Sequence, residues 1–273
     1  MTAERPALTL SPELLDAVRR IAGTEHLLVA LDFDGTLAPI VDHAEDARPL
    51  PRSAAALESL ATLPRTTTAL ISGRALDSLR LVASPPAGSL LIGSHGAEVW
   101  LGEGSLGLEL DEAQRARLAG VRDVLAGIVN VAPGTLLEDK PAGVVLHTRL
   151  ADDDVAEDAV EAALRELRDQ PGVYLKTGKR VLETSVVKAS KGEAVEFLRQ
   201  ATGATAILFA GDDVTDEDAL GRLMGDDVGI KVGLDFTQAQ YRVEAPVHVA
   251  ELLEALLKER RRAVQEAAGQ TGQ

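Results

Sequence analysis

There is no cysteine among the 273 residues of this chain. That excludes disulfides and thiolate metal sites, and it requires any catalytic nucleophile to be an oxygen or a nitrogen. Aromatic residues supply only 3% of the sequence while apolar residues as a whole supply 45%, so the core has to be built from Leu, Val, Ala and Ile. Such a core suits helices packed on a parallel sheet. No apolar run approaches the about 20 residues of a membrane-spanning helix, and the opening MTAERPALTLSPELLDAV lacks a basic start followed by an apolar block. A soluble, cytoplasmic protein is expected. Positive charge is scarce too: 28 Lys and Arg stand against 43 Asp and Glu, a formal charge of −15, and no basic stripe with interleaved aromatics occurs. A nucleic-acid backbone would be repelled. The basic cluster at 258–262 reads as cations closing a helix that begins near Val249, facing its dipole and solvent. No long exposed apolar stripe is evident, so a monomer is expected.

What is present is an alternation of short apolar runs and helical patterns. Residues 27–31, 66–71, 89–92, 204–210 and 227–232 read as buried strands, and 53–63, 76–82, 191–200 and 216–224 as helices. This predicts an α/β fold with a parallel sheet covered by helices on both faces. The rhythm breaks in the middle of the chain. There the order is helix (111–128), two strands around 141–143, helix (154–169), then two strands turning at 177–178. Along 136–140 and 144–149 residues alternate, with Val144 and Leu146 on one face and His147 and Arg149 on the other. We therefore expect a core domain from 1–107 and 185–273, with an inserted αββαββ cap over 108–184.

In an open parallel sheet the ligand crevice lies beyond the carboxyl ends of the strands. Strand 27–31 is followed by Asp32 and Asp34, strand 66–71 by Ser72 and Gly73, and strand 204–210 by Gly211, Asp212, Asp213 and Asp216. Asp and Ser also cap helices and form turns, but acids crowded at one rim repel one another and call for a cation. An all-carboxylate set that leaves room for water and phosphate suits Mg²⁺. With Mg²⁺ the natural substrate is a phosphate. Asp32 is then a candidate nucleophile and metal ligand, and Asp34, two residues on, a candidate general acid and base. Gly35 and Thr36 permit a tight turn whose backbone N–H groups can face the phosphate.

Four motifs in order carry a resemblance: DFDGTL at 32–37, Ser72 within LISGR, Lys191 within SKGEAV, and GDDVTDED at 211–218. Together they resemble the haloacid dehalogenase superfamily of phosphatases. That resemblance implies that Ser72 and Lys191 hold the transferring phosphoryl group, that Asp32, Asp34 (through its carbonyl) and Asp212 bind metal, and that Asp216 is a further acid near the metal or Lys191. Asp213 is open to either role, and Asp216 is also a candidate N-cap of the next helix.

Further motifs, LDFDGTLAPIV at 31–41, GSHGAEVW at 93–100, and Glu138, Lys140, His147 and Arg149 of LEDKPAGVVLHTR, are similar to those of trehalose-6-phosphate phosphatases over about 27–256. By that likeness Glu138, Lys140 and Glu183 bind hydroxyls of the distal glucose, supported by Arg149. Gly35, Gly73 and His95 would line the substrate from the core, although His95 also fits a structural turn. The implied reaction is hydrolysis of trehalose 6-phosphate to trehalose and phosphate, with trehalose-6-phosphate synthase as a candidate partner. Another sugar phosphatase, a phosphomutase or a non-catalytic regulatory domain are the alternatives. Thr184 and Ser185 after Glu183, and Pro141 after Lys140, depart from the family pattern on the sugar-binding side of the sequence.

Overall fold

The computed structural model describes residues 10–105, 107–178 and 180–270. The chain divides into two compact units, Met1–Ser105 with Ser190–Gln273, and Leu106–Ala189. The first is built on a seven-stranded sheet. Its strands are β1 (Leu27–Leu31), β2 (Thr66–Ile71), β3 (Leu90–Gly93), β4 (Glu98–Trp100), β9 (Ala206–Gly211), β10 (Val228–Val232) and β11 (Tyr241–Val243), in the order β11-β10-β9-β1-β2-β3-β4. Every pair is parallel except β3 with β4.

The central strand β1 shows why an unbroken apolar run was needed. Leu27, Val29 and Leu31 belong to one buried cluster, and Leu28 and Ala30 to another on the opposite face. A strand buried on both faces has no polar side to alternate with. The first cluster is covered by α1 (Pro12–Ala22), α2 (Pro51–Ala61) and α8 (Pro246–Gln270), the second by α6 (Lys191–Thr202) and α7 (Glu217–Leu220). Local chemistry fixes the helix ends. Ser190 accepts the Glu193 N–H at 3.1 Å to start α6, and Gly203 in the left-handed region ends it. The remaining core helix, α3, spans Leu76–Ala83.

The second unit is a four-stranded antiparallel sheet, β5 (Leu136–Lys140), β6 (Gly143–His147), β8 (Val181–Ser185) and β7 (Tyr174–Gly178), in the order β5-β6-β8-β7. Helices α4 (Glu112–Val129) and α5 (Asp153–Leu167) bury Val144, Leu146 and Leu182 against one face. This unit runs to Ala189 because Ser185 still pairs with Gly143 and Tyr174, and Val186 N–H donates to Ala142 O at 2.8 Å.

Four expectations need correction. The β7–β8 turn lies after Gly178, not at 177–178: Gly178 pairs with Val181, and Arg180 takes a left-handed φ of 63°. Lys179 falls outside the described residues. Strand β6 ends at His147, so Arg149 stands in the following turn and not on the ladder. The helix expected over 216–224 is a 3₁₀ turn, Val214–Asp216, running into the four-residue α7, because the chain turns away at Gly221 and Gly225. Finally, α8 continues past the basic cluster, and Arg260 does not face solvent. It is 2% exposed and donates to Thr66 Oγ1, Ala22 O, Thr24 O, Glu25 O and Arg65 O at 2.5–3.4 Å.

Candidate active site

Asp32 follows β1 and Ser72 follows β2, with those strands in parallel register from Leu27↔Thr66 to Leu31↔Leu70. Asp212 follows β9, which pairs with the other side of β1. The sheet thus delivers all three to one rim. Asp32 N–H is held by Ala210 O at 2.9 Å, and Ser72 N–H by Ile92 O at 2.9 Å. Backbone ladder bonds continued past the strand ends fix where each side chain begins.

At the centre lies Lys191, the first residue of α6 and 2% exposed. Its Nζ donates to Asp32 Oδ1 at 2.7 Å and to Asp216 Oδ1 at 2.6 Å. A cation at a helix N-terminus opposes the dipole, so this position is stable only with anions against it. Burial works against the lysine's charge, but Asp216 and Asp32 outweigh it and hold the ammonium well above its usual pKa. Burial pushes the Asp32 carboxyl well up, with Asp216 and Asp212 adding to the rise and Lys191 opposing it. Asp212 is pushed up to about 6 by burial and by the neighbouring Asp216 charge.

Oxygens of Asp32, Asp212 and Asp216 lie within 4.8 Å of one another. Lys191 pairs with Asp32 and Asp216, and Lys231 beside Asp212 is paired with Glu217, so the three carboxylates keep an excess of negative charge, which is what a hard divalent cation neutralises. Glycine makes the crowding possible. Gly35 has φ of 76°, and a Cβ there would stand 2.0 Å from Asp212 Oδ2. The all-oxygen donor set fits Mg²⁺.

The N–H groups of Gly35 and Thr36 are not aimed outwards as the sequence suggested. They are consumed within the turn, donating to Ala38 O (2.8 Å) and Phe33 O (3.4 Å). Asp216 does not cap α7 either. Its Oδ2 accepts Asp213 N–H at 2.9 Å, while the Asp213 side chain takes the N-cap role for the 3₁₀ turn. Ser72, 1% exposed, accepts the Arg74 N–H at 3.2 Å, and His95 N–H donates to Ser72 O at 3.0 Å. The His95 ring packs on Gly73, where a Cβ would come within 2.6 Å of it.

Two residues of this site were missed from sequence. Arg74 grips Asp34 with two hydrogen bonds of 2.6 Å each and stands 5.5 Å from the Phe33 ring centre. Lys231 on β10, 1% exposed, donates to Asp212 O at 2.6 Å. The available signals were the Arg of LISGR and a lysine within the apolar run VGIKV.

In the second unit, the face of the sheet opposite its helices carries Glu138, Lys140, His147 and Glu183. Glu138 and Glu183 both pair with Val145, one on each side. His147 Nε2 lies 2.8 Å from Glu138 Oε2, and Lys140 Nζ 3.6 Å from Glu183 Oε1. The hydrogen bond with His147, helped by the Lys140 charge and opposed by burial, sets the Glu138 pKa below the usual glutamate range. Arg149 is exposed in its turn beyond this face. The departure at Thr184 falls on the opposite face: its hydroxyl is buried, donating to Val144 O at 2.7 Å and accepting Val144 N–H at 3.0 Å.

The fold and the buried acid–lysine cluster define the haloacid dehalogenase class of α/β protein. A Bacillus subtilis haloacid dehalogenase-like hydrolase shares the fold at a TM-score of 0.59 and 16% identity, over 83% of this chain and 98% of that one. Residues 30–247 match the trehalose-phosphatase family, and the chain belongs to that family. It is 34% identical to a trehalose-phosphate phosphatase of Mycobacterium avium, over 85% of this chain and 62% of that one. It is 32% identical to an uncharacterized glycosyl hydrolase of Mycobacterium tuberculosis over 95% of this chain, which spans only 20% of that protein. These curated relatives are therefore longer than this chain. Among solved structures, the Candida albicans trehalose-6-phosphate phosphatase C-terminal domain superposes with a TM-score of 0.76 at 25% identity, covering 94% of this chain and 99% of that one.

Proposed function

We propose that this chain is a Mg²⁺-dependent phosphatase that hydrolyses trehalose 6-phosphate to trehalose and inorganic phosphate through an aspartyl-phosphate on Asp32. The observation that carries the reading is the placement of Lys191 Nζ between Asp32 Oδ1 and Asp216 Oδ1, 2.7 and 2.6 Å away. A buried nucleophile tied to a buried cation, with a second acid behind that cation, is a phosphoryl-transfer arrangement.

An Asp32 carboxylate oxygen attacks phosphorus, and the bond from phosphorus to the sugar oxygen breaks. Asp34 gives its proton to that departing oxygen, producing trehalose. A water then attacks the aspartyl-phosphate, Asp34 takes its proton, and the Asp32–phosphorus bond breaks to release phosphate and restore the carboxylate. Lys191 offsets charge on the phosphoryl oxygens, and Ser72 is assigned to them as a hydroxyl donor. Asp32, Asp212 and Asp216, with the Asp34 carbonyl, are the groups assigned to hold Mg²⁺. Bound there, the cation supplies the positive charge that keeps these acids ionised and offsets the charge of the transferring group.

Glu138, Lys140 and Glu183 are assigned to sugar hydroxyls, and Arg149, His95 and Gly73 are assigned to the substrate on the sequence likeness alone. Carboxylates accept and an ammonium donates, which suits a ligand whose hydroxyls do both. The Thr184 change does not reach this face. The Leu106–Ala189 unit is thereby the substrate-recognition part of the enzyme. The Thermoproteus tenax bifunctional trehalose-6-phosphate synthase/phosphatase, 32% identical over 86% of this chain, supports a synthase as its functional neighbour.

The test is phosphate release from trehalose 6-phosphate with Mg²⁺ and with EDTA, for the wild type and Asp32→Asn. Release that needs Mg²⁺ and vanishes in the variant is expected. Metal-independent inactivity on every sugar phosphate would instead leave a binding domain.

A further inference from the structure

Lys231 is one of the least accessible charged groups in the core unit, and no step above uses it. It lies on β10 opposite Gly211 of β9, so its side chain begins one residue below Asp212. The ammonium has three N–H groups. Two carbonyls accept from it, Asp212 O at 2.6 Å and Asp213 O at 3.4 Å, and Glu217 Oε1 stands 3.4 Å away as its ion-pair partner. Burying a lysine is costly unless it is both paired and hydrogen-bonded, and here both conditions are met by one short segment, 212–217. That segment is also the one that carries Asp212 and Asp216.

Glu217 is itself anchored from the other side. Its Oε2 accepts the Gln238 N–H at 2.8 Å and the Thr237 hydroxyl at 3.3 Å. The carbonyls of residues 212 and 213 are thus fastened to β10, and the start of α7 to the chain that follows β10. Fixing a residue's carbonyl fixes its peptide plane, and with it the direction in which the side chain leaves. For Asp212 that direction must be accurate, since its carboxylate occupies the space that a Cβ on Gly35 would fill.

We infer that Lys231 is a positioning residue for the metal-binding acids: it holds the 212–217 segment in the shape that presents Asp212 and Asp216 together with Asp32, before any cation arrives. This rests on the reading of those acids as a Mg²⁺ site. It separates two effects of opposite sign. As a charge alone, a buried ammonium near a cation site weakens cation binding, so removing it would tighten Mg²⁺. As a brace, it strengthens binding, because the acids need no rearrangement.

The experiment is calorimetric titration of Mg²⁺ into the EDTA-stripped, dialysed full chain, comparing wild type with Lys231→Met, which keeps length and apolar volume. Circular dichroism and melting in EDTA are recorded for both. Loss of a group that orients metal ligands costs about 10- to 100-fold in metal affinity. We expect Kd for Mg²⁺ to rise about tenfold at the low end of that range, with turnover largely restored at saturating Mg²⁺. A Kd that is unchanged or lower overturns the inference, even if the variant melts earlier. If Lys231→Met does not fold, Glu217→Gln serves: it removes the counter-charge at the more exposed end of the same contact, and a Kd equal to wild type overturns the inference. If the wild type itself takes up no Mg²⁺, the metal reading fails, and the brace falls with it.

Discussion

Arg74 holds Asp34 by both carboxylate oxygens, Nε to Oδ2 and Nη2 to Oδ1, each at 2.6 Å. This fork-on-fork contact leaves the carboxylate little rotational freedom, and the Arg side chain is itself only 11% exposed. The proton-donor role proposed above would need Asp34 to meet the departing oxygen at a fixed angle, and the contact with Arg74 restricts its carboxylate in that way. Arg74→Lys cannot reproduce two parallel bonds. We predict that Arg74→Lys lowers kcat on trehalose 6-phosphate by about 100-fold, the low end of what general acid–base catalysis contributes, with KM changed much less. Steady-state kinetics decide it, and a change confined to KM would show that Asp34 needs no such grip.

The Asp212 carboxyl has a folded-state pKa of about 6 against 3.8 for the free group. Between those values the folded, metal-free chain binds more proton at this site than the unfolded chain does. Its contribution to stability therefore falls as pH rises through that window. We predict that Asp212→Asn raises the melting temperature of the EDTA-treated protein relative to wild type, by an amount that grows between pH 4 and pH 6. On the proposed metal site Mg²⁺ and the proton would compete for the same oxygens, so wild-type Mg²⁺ affinity should fall as pH drops below about 6. Differential scanning fluorimetry and titration calorimetry across pH check the two halves. A difference independent of pH would remove the crowding argument.

Gly35 combines a φ of 76° with a Cβ position 2.0 Å from Asp212 Oδ2. Gly35→Ala has to strain the turn and displace the Asp212 carboxylate together. We expect a loss of at least about 1 kcal/mol of stability and a weaker response of the melting temperature to Mg²⁺. Melting curves with and without the cation measure both. Gly88→Ala, where φ is 85° and nothing lies within 4 Å, is the control that carries the strain without the collision.

On the second unit, Glu138→Ala removes a carboxylate from the face that also carries Lys140 and Glu183. If those groups recognise the sugar, the variant loses turnover of trehalose 6-phosphate while still cleaving a small aryl phosphate at the wild-type rate. Parallel assays on the two substrates give the answer. Equal losses on both would place Glu138 outside sugar recognition.

Arg260 yields a prediction about folding alone. Its guanidinium serves four carbonyls and a hydroxyl at 2.5–3.4 Å. Arg260→Met leaves those acceptors short of donors, at a cost of about 1–3 kcal/mol for a buried unsatisfied group. We expect a lower denaturation midpoint with unchanged kcat per folded molecule. A midpoint equal to wild type would mean that water replaces the guanidinium without loss.

What the sequence revealed follows the range of the interactions involved. β1 was legible because burial on both faces leaves a continuous apolar run, and α6 because Ser190 and Gly203 mark helix ends locally. Lys191 and the acids were legible through short motifs. Arg74, Lys231 and Arg260 were not, since their partners lie 40, 19 and up to 238 residues away and no local pattern records a contact of that span. The shortness of α7 was hidden for a related reason. Residues 216–224 keep a helical apolar spacing, but the helix stops after four residues at Gly221, whose N–H donates to Glu217 O at 2.8 Å.

The seven-stranded sheet closes on both sides with strands of only three residues, β4 at one margin and β11 at the other. A margin that short offers few unpaired amides to a foreign strand. Sideways growth of the sheet is thereby disfavoured, and the net charge of −15 adds repulsion between copies of the chain.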